Sequence, residues 1–112
     1  MPATVAIPQS EWPKSLVDQA PKITAFCAND INDKEKGMLD LATVPQIGGE
    51  GKASLEAAGI KTVKQLVGMF LVKETKAAFQ EWLEGVGLAA GPNNYAAKVA
   101  IVINNYCASI CL

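Results

Sequence analysis

The chain contains neither histidine nor arginine. Without histidine, no side chain has an ordinary pKa near neutrality and no imidazole can ligate a metal. Without arginine, there is no planar fork to grip a phosphate, a carboxylate or a guanine bidentately. Cysteine is scarce and odd in number: Cys27, Cys107 and Cys111. Cys27 has no imidazole to activate it. Cys107 and Cys111 share a helical face, but no third or fourth ligand stands at metal spacing, so they read as small buried apolar residues. Long apolar runs are also missing. The apolar stretch Leu66–Val72, which includes Gly68, is far too short for a membrane span. Pro2, Pro8 and Pro13 interrupt the first residues, and no basic stretch precedes an apolar run, as a secretory leader would require. Free thiols and no leader point to a reducing intracellular compartment, cytoplasmic or nuclear.

What is present supports one small core. Half of the 112 residues are apolar, which suits a single domain of marginal stability. The ten cations, all lysine, face eleven acids, for a net charge of −1. Residues 1–43 carry four lysines against six acids, and residues 44–112 carry six against five. Neither portion is a basic patch of the kind that dominates nucleic-acid binding. Glu81 and Glu84 are close enough on a helix for acid–base work, but beside Gln80 they read as a solvated face. No catalytic set emerges. The expectation is a protein that is not an enzyme, with no cofactor, metal or small-molecule substrate.

Helical spacing dominates the pattern. Residues 1–13 are broken by proline and form an arm, either lying against something through Val5, Ile7 and Trp12 or forming a free tail. Pro21 suits the first turn of a helix, whose apolar face is Ile23, Phe26, Cys27 and Ile31. Asn32-Asp33-Lys34-Glu35 signals a further helix start, and Pro45 ends that helix. A helix over Gly51–Ala58 stops at Gly59. Thr62 and Gln65 make a capping box for Val63–Val72. A helix over Glu74–Glu84 presents Phe79, Trp82 and Leu83 and ends at Gly85 and Gly87. The last helix, from about Asn93 to Ser109, carries the strongest stripe: Tyr95, Val99, Val102, Ile103, Tyr106 and Ile110. The fold class is therefore all-α: a compact bundle of five or six short helices with a helix-hairpin-helix and an extended N-terminal arm.

The glycine-rich turn at Gly48-Gly49-Glu50-Gly51-Lys52 lacks the preceding strand and the Gly-Lys-Ser/Thr ending of a phosphate loop. Two readings remain open for it. The free N–H groups of a helix start can bind an anion such as a nucleic-acid phosphate, or the glycines only let two helices pack closely.

Ile47-Gly48, then Lys52 with Leu55-Glu56 and Gly59-Ile60, then Val67-Gly68-Met69-Phe70-Leu71-Val72, then Phe79-Gln80-Glu81-Trp82-Leu83, together resemble barrier-to-autointegration factor. The Phe-x-x-Trp-Leu spacing is the most specific part, and Tyr106-Cys107 fits the family's last helix. The resemblance covers about residues 39–112 and divides the chain into an arm with short helical segments, 1–38, and a family-like helical domain, 39–112. It implies a compact helical domain, usually a homodimer, whose hairpin contacts the DNA backbone without sequence preference and whose dimer groove takes partner proteins. On this basis Gln46, Ile47, Gly48, Gly49 and Lys52 are the candidate hairpin. Gly68, which matches a small residue in the family's dimer helix, joins Met69 and Phe70 as a candidate protein interface, with Trp12 added from the arm. Gln46 stands where family hairpins carry glycine, and Ser54 where they carry a cation.

The function expected from these residues is a non-enzymatic adapter or scaffold subunit. It would bind proteins within a larger intracellular assembly, cytoskeletal or chromatin-associated. The alternative is sequence-independent binding of double-stranded DNA through the hairpin.

Overall fold

A computed structural model of the chain describes residues 4–28, 41, 44–47, 49–88 and 95–110. Among the described residues there are six α-helices, one 3-10 turn and no strand. The helices are α1 (Lys14–Val17), α2 (Ala20–Cys27), α3 (Gly49–Ala57), α4 (Val63–Lys73), α5 (Lys76–Gly85) and α6 (Tyr95–Ser109). The all-α class and the small bundle agree with the sequence pattern. The helix expected after Asn32, the end of the α2 stripe at Ile31, and Cys111 lie outside the described residues.

α6 is the axis of the fold. α2, α4 and α5 all pack against it. Its stripe residues Val99, Val102, Ile103 and Tyr106 are buried, but so are Ala96, Ala100, Ile101 and Cys107 on its other sides. A helix that is apolar nearly all round must be enclosed by its neighbours. Tyr95, at the start of the stripe, remains exposed and lies under the ammonium of Lys98 at 5.3 Å. Ring contacts tie the layers together. Phe26 of α2 meets Tyr106 of α6 at 5.0 Å, and Phe70 of α4 meets Phe79 of α5 edge-on at 5.3 Å.

Local signals set most of the boundaries. Pro21 sits in the first turn of α2. α3 closes in a Schellman motif: Gly59 donates to the Glu56 carbonyl and Ile60 to that of Leu55, with Gly59 at φ 90°. The capping box of α4 is complete. The Thr62 hydroxyl accepts from the Gln65 N–H, and the Gln65 side chain accepts from the Thr62 N–H.

Two boundaries depart from the sequence reading: α3 starts two residues earlier than expected, at Gly49, and the junction of α4 and α5 falls elsewhere. Glu74 does not begin α5. It ends α4 in the left-handed region at φ 68°. The Thr75 hydroxyl accepts from the Ala78 N–H and so starts α5 at Lys76. A threonine cap needs extended backbone, so the reversal between two abutting helices falls on the residue before it. α5 then runs through Gly85 and stops at Gly87, which has φ 114°. Here too a Schellman pair forms, Gly87 to Glu84 and Leu88 to Leu83, with both leucines buried.

Candidate functional site

The hairpin begins with a tight turn. The Ile47 N–H donates to the Val44 carbonyl at 3.1 Å, and Pro45 and Gln46 occupy the corner. Gln46 has φ 77°. Proline followed by a positive-φ residue is the pattern of a type II turn, whose second corner normally belongs to glycine. The backbone shape therefore persists with a side chain where the resembling family has none. For a residue with a Cβ that conformation costs about 1–2 kcal/mol.

Ile47 is buried and anchors the turn to the core, and α3 begins at Gly49. Gly48 lies outside the described residues. A Cβ placed on Gly49 would meet nothing within 4 Å, and one on Gly51 would meet Ile47 Cγ2 at 3.5 Å, an ordinary contact. Close helix packing thus requires neither of these two glycines. A cavity of about 470 Å³ opens beside the turn, between Gln46, Gly49 and Glu50 on one side and Leu88 and Tyr95 on the other.

Charge tells a different story from shape. Glu50 is exposed in the first turn of α3, where the helix dipole favours an anion, so the protein's own carboxylate competes with any phosphate. Lys52 lies 4.0 Å from Glu56 one turn on. Lys61 and Lys64 are exposed nearby. Ser54, at the family's cation position, packs on the α5–α6 corner. A Cβ on Gly87 would come within 3.0 Å of its hydroxyl oxygen. The position is therefore occupied by a small residue fitted against a glycine turn.

The candidate protein interface falls on α4. Phe70 is buried against Phe79 in the chain's own core, so it supports the helix from beneath. Met69 and Leu71 are partly buried, Gly68 is exposed, and Val72 is 73% exposed. A Cβ on Gly68 would meet nothing within 4 Å. Gly68 and Val72 are four residues apart and share the outer face. Trp12 is not on this surface. It packs against the core beside Ile23, Cys27 and Asn105, and its indole N–H donates to the Ile7 carbonyl at 2.8 Å.

The described thiols are held protonated. Burial pushes Cys27 up to about 11, and burial followed by the proximity of Cys27 pushes Cys107 up to about 12. Neither offers a thiolate near neutrality. Among the described residues, no three His, Cys, Asp or Glu side chains gather where they could hold a metal ion. Glu84 accepts from Gln80 at 3.3 Å on an exposed face, as expected of a solvated carboxylate. No helix among the described residues is long and apolar enough to cross a membrane.

Sequence reasoning missed one polar feature altogether. Asn104 and Asn105 sit side by side on the otherwise apolar α6 and hold the N-terminal arm. The signal was available: two adjacent amides inside a long apolar stripe need partners if buried.

The family model described as barrier to autointegration factor matches residues 18–110. The chain belongs to that family, which is associated with DNA and chromatin. The match reaches further toward the N-terminus than the resemblance read at 39–112. Comparison with curated proteins and with solved structures gives no match.

Proposed function

We propose that the chain is a non-enzymatic scaffold subunit of the chromatin-associated kind, which binds a second copy of itself, and through that dimer other proteins, across the outer face of α4. One observation carries this reading. Gly68 stands in the middle of a regular helix, at helical rather than positive φ, with open space where its Cβ would be. Neither local conformation nor packing within the chain calls for glycine there, and it costs the helix about 1 kcal/mol relative to alanine. A second backbone approaching the face supplies the reason, since a missing Cβ lets two helices come close. Val72, one turn on and 73% exposed, supplies apolar surface for that contact.

Sedimentation velocity of the wild-type chain and of Val72→Asp tests this. The wild type should sediment as a concentration-dependent dimer and Val72→Asp as a folded monomer. A wild-type chain that stays monomeric at high concentration contradicts the proposal.

The shape of the hairpin favours a second reading, sequence-independent contact with duplex DNA. Gln46 holds the left-handed corner despite its cost, and Gly49 leaves the start of α3 open. The charge near the turn limits the strength of such binding. Lys52, Lys61 and Lys64 are opposed by Glu50 and Glu56, and each neutralised phosphate adds roughly 0.9 to the salt slope. Binding to random duplexes should be weak, visible only at low salt and reduced by Lys52→Glu. No complex at low salt, or no loss on that substitution, excludes the hairpin as the contact.

A further inference from the structure

The arm is held by its main chain. Asn105 engages Ile7 twice: its Oδ1 accepts from the Ile7 N–H at 2.7 Å, and its Nδ2 donates to the Ile7 carbonyl at 3.0 Å. A neighbouring β-strand grips a residue in the same way when its N–H and C=O point to one side. Asn104, itself buried, donates to the Val5 carbonyl at 3.0 Å and to Asn105 Oδ1 at 3.1 Å, which fixes the orientation of the reading amide. The side chains contribute less. Ile7 and Trp12 pack against the core, while Val5 is 82% exposed and Pro8 through Glu11 are exposed. Beside Trp12 a shallow apolar recess of about 360 Å³ continues over Ile23, Thr24 and Cys27 to Ser109.

We propose that this edge of α6 is a docking groove for a peptide that is extended through Val5–Ile7 and turns at Gln9–Glu11, that residues 4–12 fill it within the same chain, and that the arm of a second copy is its occupant between chains. Three features support the exchange. The asparagines read main chain, so their grip is indifferent to which molecule supplies the segment. Trp12 bonds to Ile7 of its own arm, so the anchor travels with the segment. Pro13 has extended backbone and α1 starts at Lys14, so a single short hinge separates the arm from the body. An identical element passed between copies is a low-cost route to association. Once vacated, the groove exposes two amides that water satisfies, so release leaves no orphaned polar group.

The test uses full-length chains carrying Val72→Asp, so that association through α4 does not contribute, and a labelled peptide of sequence Thr4–Trp12. In the Ile7→Asp chain the arm is weakened and the groove is intact. That chain should bind the peptide about tenfold more tightly than the parent chain, and a further Asn105→Ala should remove the gain. Ile7→Ala carries the same expectation at smaller amplitude if Ile7→Asp does not fold. At high concentration the parent chain should also yield an arm-to-α6 cross-link between copies, absent from Asn105→Ala. Equal peptide binding by folded Ile7 variants and the parent overturns the groove, and cross-links found only within one chain overturn the exchange. Neither outcome touches the α4 reading, whose residues lie on a different helix.

Discussion

The hairpin and the outer face of α4 stand in opposite relations to the family resemblance. At the hairpin the shape remains and the residue has changed: Gln46 takes φ 77° where the resembling family has glycine. On α4 the residue remains and no local need for it is visible: Gly68 is helical, exposed and surrounded by open space. In the first case shape and charge disagree: the turn leads into a helix start, yet Glu50 is exposed in the first turn of that helix and Ser54 is packed against Gly87. The second leaves a glycine that costs its own helix about 1 kcal/mol without a role inside the chain, which is the ground of the proposed contact. Gly59 and Gly87 mark the contrast, because both have positive φ and end helices. Their role is complete within the chain.

Gly87→Ala should have the largest effect on this comparison. It forces a Cβ into φ 114° and to 3.0 Å from the Ser54 hydroxyl, which should destabilise the fold by about 2–3 kcal/mol in urea unfolding. An unchanged midpoint would mean that the hairpin end is not held by the Ser54–Gly87 fit. Gln46→Gly works in the other direction. It relieves about 1–2 kcal/mol of left-handed strain, offset by about 0.4–1 kcal/mol of added freedom in the unfolded chain. The net gain should be about 0.5–1 kcal/mol, with no gain in DNA affinity, because the charges are unaltered. A large rise in duplex binding would show that shape, not charge, limits the hairpin.

A further prediction concerns pH and is confined to alkaline solution. The folded-state pKa values of Cys27 and Cys107 are raised from 9.0 to about 11 and about 12. Their contribution is complete below pH 9, where both states keep the thiols protonated. Above that the unfolded chain loses protons first, so stability falls between about pH 9 and 12. Cys107→Ala should flatten that decline in urea midpoints measured across the window, while leaving the hairpin and α4 untouched.

Much of the fold was legible because its signals are local. The Thr62–Gln65 capping box, the Gly59 stop and the apolar period of α6 each act within one or two turns, and each was read correctly. Glu74 was misread because its left-handed turn is imposed by the Thr75 cap that follows it, not by any preference of glutamate. The site was less legible, for a physical reason. Phe70 and Met69 are adjacent in sequence, yet one faces the core and the other the surface edge. A contiguous motif does not separate those faces until the helix is packed. Likewise Val5, Ile7 and Trp12 suggested an arm that lies on something, but the amides that hold it come from residues nearly a hundred positions away.

The proposed contact of the outer face of α4 with a second copy turns on Gly68. Gly68→Ala tests it most directly, with unfolding stability and dimer dissociation measured on the same sample. The two should change in opposite directions: the single chain gains about 1 kcal/mol of stability because alanine is the better helix former in open space, while the dimer weakens because the added methyl holds the helices apart. A variant that is more stable and associates as well as the wild type would contradict it.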